Sequence, residues 1–183
     1  AQMDFQIKSS VTSGTAVSAV SKLIIAETKV TVADDLQVNG GIYLGGSVAA
    51  NKLDDYEEGT FTPAYSAGGS STATYDTQDG KYTKVGNLVT VNIVLRATAL
   101  GAMTGTVSIT GLPFASNGFG SASVGYATGL AITAGTAVTG YVSGSGAISM
   151  REWDSTSGTS LITEANLSAA AYVIMSATYK TNA

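Results

Sequence analysis

The sequence predicts an all-β protein in two parts. An N-terminal oligomerising β shaft, prism-like or solenoid-like, is expected over residues 1–52, and a β-sandwich or jelly-roll head over residues 53–183. Three observations predict this. Apolar residues recur at alternate positions in many short stretches bounded by Gly, Asn, Asp or Ser, and no stretch makes a convincing helix. Three apolar i, i+2 pairs, Val30/Val32, Leu36/Val38 and Ile42/Leu44, follow one another at a six-residue period. Charged residues make up only 12% of the chain while hydrophobic residues make up 44%, with 22 Gly. That balance suits a β protein that hides surface in subunit contacts, and it does not suit a disordered chain.

In the shaft, Asp4–Ser10 alternates with Phe5 and Ile7 on one face and reads as a strand. Ala16–Ile25 is compatible with a helix through Val17, Val20 and Ile24, but its β-branched content favours a strand. From Val30 the repeat of short strand and turn sets in, with Asp34-Asp35, Asn39-Gly40-Gly41 and Gly45-Gly46 between the apolar pairs. Such a period marks a β-solenoid or β-prism. Repeats of two apolar residues cannot enclose a core within one chain, and with neither cysteine nor histidine present, oligomerisation is the route left for stabilising them. Val30, Val32, Leu36, Val38, Ile42 and Leu44 are therefore the expected inter-subunit core. The alternative is a loose arm packed on the head.

In the head, Phe61–Ala67 and Thr72–Tyr75 are expected to pair around Gly68–Ser71, followed by a loop at Asp76–Gly80. The clearest hairpin is Lys81–Leu95, turning at Gly86-Asn87, with Val89, Val91, Ile93 and Leu95 on the core face. Leu100–Gly105 reads as a loop. Val107 and Ile109 face inward on the next strand, which stops before Pro113, since proline cannot donate to a ladder. Asn117–Gly120 is a loop, and short strands follow around Val124–Tyr126, Leu130–Ile132, Val138–Val142 and Ala147–Met150. Arg151–Ser160 reads as the most polar late loop, and Ala171–Tyr179 closes the chain with Val173, Met175, Ala177 and Tyr179 on one face.

Composition also limits the chemistry. There is no histidine, hence neither the commonest general base nor the commonest zinc ligand. No cysteine is present, so no disulfide forms. A net charge of −4 disfavours nucleic acid as a partner. The longest apolar run, Ala169–Met175, falls far short of a bilayer span, so no membrane insertion is expected, and the start AQMDFQIK lacks the pattern of a secretory signal. Serines are numerous but lack a histidine to activate them, and Gly144-Ser145-Gly146 is a turn with no helix behind it to receive a phosphate. No catalytic residue, cofactor or metal is expected.

Two charged clusters stand out. Asp54, Asp55, Glu57 and Glu58 form an acidic run closed by Gly59, read as a solvated boundary between shaft and head, with calcium or inter-subunit pairing as the alternative. Arg151, Glu152, Trp153 and Asp154 set the single tryptophan beside groups that hydrogen-bond, so an indole stacked on a sugar is one reading. Burial of Trp153 in the core or at a subunit interface is the other.

The segments LDDYEEGTFTP (Leu53–Pro63), KYTKVGNLVTVNIVL (Lys81–Leu95) and ITGLPF (Ile109–Phe114) together resemble a domain that recurs in tail fibres and related appendage proteins of tailed bacteriophages. The resemblance implies one fold for most of residues 53–183 and a structural role for the acidic run, which recurs in that family without an attached activity. With the six-residue period it implies a homotrimer. The expected function is a structural virion appendage, made in the bacterial cytoplasm, held to other virion proteins at its N-terminal end and presenting a β head to host-surface glycan. Its mechanism would be multivalent adhesion through several weak sites at fixed geometry. The alternatives are a purely architectural head or neck decoration and, further off, a carbohydrate-binding module.

Overall fold

The computed structural model describes residues 35–45, 47–53, 55–70, 72–155 and 157–182. The strand readings over Asp4–Ser10 and Ala16–Ile25, and the pair Val30 and Val32, lie outside the described residues. Compactness divides the chain between Gln37 and Val38, upstream of the boundary read at Leu53. Of the first unit only Asp35–Gln37 is described, and Leu36 there is 66% exposed.

The second unit begins with a small antiparallel pair, β1 (Ile42–Tyr43) with β2 (Lys52–Leu53), joined through a 3₁₀ turn at Ala49–Asn51. The expected run of short strands through Leu44 thus reduces, among the described residues, to one strand. Leu36 and Val38 have no strand partner, and Val38, Ile42, Tyr43, Leu44 and Val48 are exposed.

Ten further strands follow: β3 (Tyr56–Phe61), β4 (Ala64–Ser70), β5 (Thr74–Val85), β6 (Leu88–Ala99), β7 (Ala102–Thr110), β8 (Gly120–Leu130), β9 (Ala137–Val142), β10 (Ile148–Ser155), β11 (Gly158–Leu161) and β12 (Leu167–Lys180). A second 3₁₀ turn at Glu164–Asn166 leads into β12. The fold is all-β: no α-helix occurs among the described residues. All ten strands belong to one antiparallel sheet in the order β3-β5-β6-β12-β8-β9-β10-β7-β4, with β11 added to the free length of β10.

The ends of this order, β3 and β4, are consecutive in the chain, separated only by Thr62-Pro63. The two edges of the sheet therefore have to meet, and the natural strand twist curls the sheet to bring them there. The corner is held by Gln78 Nε2 donating to the Pro63 carbonyl at 2.9 Å and by the Tyr65 amide donating to the Tyr75 hydroxyl at 2.8 Å. Gly111 (φ +86°) passes so close to the Thr62 carbonyl that a Cβ would sit 2.3 Å from its oxygen.

Inside the curl, alternation does what the sequence pattern requires. Val89, Val91, Ile93 and Leu95 of β6 and Val173, Met175, Ala177 and Tyr179 of β12 face Val107 and Ile109 of β7 and Ile148 and Met150 of β10, all buried in one core. The β5–β6 hairpin turns at Gly86-Asn87 as read, and Pro113 lies outside β7 as its missing donor demands.

Several local readings are corrected. Asp76–Gly80 is not a loop but part of β5, where two register irregularities near Thr74–Thr77 interrupt the alternation that would have announced it. Leu100–Gly105 is mostly the start of β7, the reversal being confined to Leu100-Gly101 with Gly101 at φ +64°. Phe61–Ala67 and Thr72–Tyr75 do not pair with each other: β4 pairs with β7, and β3 pairs with β5. Val124–Tyr126 and Leu130 belong to one long strand, β8. Within Arg151–Ser160, Arg151–Ser155 belongs to β10 and Gly158–Ser160 to β11, rather than to a loop. Where a strand was read as a loop, its polar or glycine-rich composition resembles a turn, and pairing with a neighbouring strand overrides it.

Candidate functional site

Glu57 and Glu58 of the acidic run lie in β3, Asp55 leads into it, and each of these three carboxylates has a partner; Asp54 lies outside the described residues. β3 pairs with β5 so that Glu57 lies opposite Lys84, Gly59 opposite Tyr82 and Phe61 opposite Gly80. Asp55 forms an ion pair with the buried Lys84 ammonium. Glu57 Oε1 accepts from the Tyr82 hydroxyl at 2.5 Å, and Glu58 Oε2 accepts from the Tyr56 hydroxyl at 3.0 Å. Each bond holds the phenol neutral, raising the pKa of Tyr82 and Tyr56 above the ordinary tyrosine value. The glycines are matched to rings: a Cβ on Gly59 would meet the Tyr82 ring at 2.8–3.0 Å, and one on Gly80 would meet Phe61 at 2.8 Å.

Phe114 completes this corner. Its ring meets Tyr82 edge-on at 5.2 Å, lies 5.6 Å under the Lys84 ammonium, and its backbone carbonyl accepts from the Tyr179 hydroxyl at 3.2 Å. Glu57, Tyr82 with Lys84, and Phe114 come from the three sequence segments in turn. Their joint occurrence thus has a structural cause: together they build the corner where the sheet's edges meet. Among the described residues no group of three or more His, Cys, Asp and Glu side chains comes together to hold a metal.

The late charged cluster is divided by the pleat. Along β10, Ile148, Met150 and Glu152 point inward while Ser149, Arg151 and Trp153 alternate outward. Glu152 is buried and clasps the turn before β9: its Oε1 accepts from the Thr133 amide at 2.7 Å and from the Thr136 hydroxyl. It is thus not available to a ligand alongside Trp153. Trp153 is 56% exposed, so the ring is not core. Asp154 is exposed at the strand's end, beside the irregularity in the β10–β11 pairing between Glu152 and Ser155.

Two residues that the sequence reading did not single out join Arg151 and Trp153 on the outer face. Tyr141 of β9 stands opposite Ser149, and the Arg151 guanidinium lies 5.5 Å from the centre of its ring. Phe119, 79% exposed just before β8, lies 6.0 Å from Tyr141 between ring centres. Arg151 Nε is buried without a hydrogen-bond partner. The signal for Tyr141 was present in the alternation Val138, Gly140, Val142 against Thr139, Tyr141; Phe119, in a loop, carried no periodic signal.

No protein-family model matches the chain, and no curated protein matches it. Among solved structures, it is similar to the Dettilon tailspike protein, with a TM-score of 0.61 at 15% identity over 69% of this chain. The match spans 24% of that protein's chain. At this identity the likeness is one of fold: the curled antiparallel sheet recurs as one part of a longer protein.

Proposed function

We propose that this chain is a component of a bacteriophage tail appendage, carried on the virion, and that its β body works in adhesion to the host surface. The observation that carries the reading is the likeness of the curled sheet to part of a tailspike. The sequence resemblance to tail-fibre domains points to the same class of particle. The reading includes a homotrimer assembled through the N-terminal shaft. The exposed apolar side chains Leu36, Val38, Ile42 and Leu44 support it, because an exposed apolar run of this kind is normally covered by a partner. It also includes attachment to other virion proteins at the N-terminal end, a jelly-roll-like role for the body as the head, and an adhesive rather than enzymatic mode of action.

The test is adsorption. Purified protein is expected to bind cells of the host and to compete with the intact phage for adsorption, and antibody against the β body is expected to label the tail. Labelling confined to the capsid or neck, with no competition, would establish the architectural alternative instead. Light scattering is expected to give a trimer, and Leu36→Asp combined with Ile42→Asp to release monomers; a stable wild-type monomer would remove the shaft from the reading.

A further inference from the structure

We infer that the outer face of β9 and β10 is a binding platform for an acidic saccharide whose carboxylate is received by Arg151 and whose sugar rings lie on Phe119, Tyr141 and Trp153. The inference rests on the adhesive reading above and names the ligand class and the surface. Tyr141 to Trp153 spans four residues of β10 register (Ser149 to Trp153), about 13 Å of strand, enough for more than one sugar ring. Along that line the half-buried Tyr141 ring, the half-buried Arg151 and the exposed Trp153 ring alternate between flat apolar faces and a hydrogen-bonding side chain. Sugars present the same alternation, with apolar C–H faces that stack on aromatic rings and hydroxyls at their edges.

Arg151 decides the charge. Three other cations in the β body have acidic partners: Lys81 with Asp79, Lys84 with Asp55 and Arg96 with Asp76. Arg151 has no acidic partner among the described residues; its guanidinium lies 5.5 Å from the centre of the Tyr141 ring, and its buried Nε has no acceptor. A guanidinium held beside a ring and free of any carboxylate partner keeps its terminal nitrogens available to a ligand carboxylate, which a guanidinium receives through two parallel bonds. Glu152, the nearest carboxylate in sequence, is turned inward onto Thr133 and Thr136 and does not compete.

The test uses the full-length protein and surface polysaccharide from the host bacterium, in its native form and after chemical reduction of its carboxyl groups to alcohols. Native polysaccharide is expected to bind, and carboxyl reduction, Arg151→Gln, Tyr141→Ala and Trp153→Ala each to weaken binding roughly tenfold or more, as loss of a charge-assisted contact does. Binding to the native form is expected to weaken with added salt, and Arg151→Gln to remove most of that salt dependence. Trp153→Ala, at an exposed ring, serves as the variant whose fold and oligomeric state stay intact. Equal binding to native and reduced polysaccharide overturns the inference. So does adsorption to host cells by Arg151→Gln and Trp153→Ala at wild-type strength, which would leave adhesion standing but move it elsewhere on the molecule. Absence of any adsorption by the wild-type protein would remove adhesion itself. Dissociation of the oligomer by Trp153→Ala would instead identify this face as a subunit contact.

Discussion

Lys84 in β5 is 6% exposed and Glu152 in β10 is 7% exposed, and the protein accommodates these two buried charges differently. Lys84 meets a counter-charge, Asp55, and rests its ammonium over the Phe114 ring. Glu152 meets no cation; it accepts from a backbone amide and a hydroxyl in the turn ahead of β9. The first arrangement ties the residue leading into the edge strand β3 to the neighbouring β5, beside Phe114. The second ties a local turn to the strand beside it. Removing the partner should therefore be more damaging at the corner than at the turn, because an ammonium stripped of its carboxylate stays buried, whereas the turn's donors can reach water.

Asp55→Asn is expected to have the largest effect, lowering stability by about 1–3 kcal/mol, read as a drop in urea midpoint with unchanged slope. Lys84→Met added to it should restore most of the loss, since replacing both members of a buried pair by an uncharged, well-packed arrangement is often neutral. A double variant no more stable than Asp55→Asn alone would mean that the ammonium over Phe114 matters in its own right.

Glu152→Ala should cost about 1 kcal/mol, and Glu152→Gln less, since an amide oxygen can still accept from Thr133. The accompanying change is local, with faster hydrogen exchange at Thr133 and Thr136. Uniformly faster exchange across β9 and β10 would show that Glu152 supports the sheet and not only the turn.

The smallest effect at neutral pH, which grows only in alkali, comes from the buried phenols. Burial raises the pKa of Tyr65, Tyr75 and Tyr179, with hydrogen bonds to Tyr65 and Phe114 partly offsetting it for the latter two. A folded-state pKa above the unfolded value means that the stability is fully present below the unfolded pKa of about 10 and is lost as pH rises through the folded values. Urea midpoints should therefore be flat from pH 7 to 9 and fall above about pH 10, and Tyr179→Phe should make that fall shallower. A midpoint independent of pH into strong alkali would mean that these rings are solvated.

The corner and the outer platform also differ in how far the sequence disclosed them. The segments that build the corner were conspicuous because tight packing restricts composition: Gly59 and Gly80 must lack a side chain where Tyr82 and Phe61 lie. Glu57 and Glu58 are exposed, as the reading of a solvated run expected, but the partners that Asp55 and Glu57 find in Lys84 and Tyr82 were not legible, because they lie on another strand. The platform was half visible. Trp153 and Arg151 drew attention as a rare ring beside a charge, but the reading grouped them with Glu152 by adjacency in the chain, whereas a strand sends neighbours to opposite faces.

By itself the amino-acid sequence determined the all-β class, the β5–β6 hairpin and the inward faces of β6, β7 and β12. These depend on a period of two and on turn residues, both local properties. Only the tertiary structure decided that β3 pairs with β5 and β4 with β7, that Asp76–Gly80 and Arg151–Ser155 are strands, and that Tyr141 stands beside Arg151 with Phe119 against Tyr141. The reason is that a strand's partner is chosen by closure of the whole sheet. Two edges joined by Thr62-Pro63 must meet, and that requirement is written in no single segment of the chain.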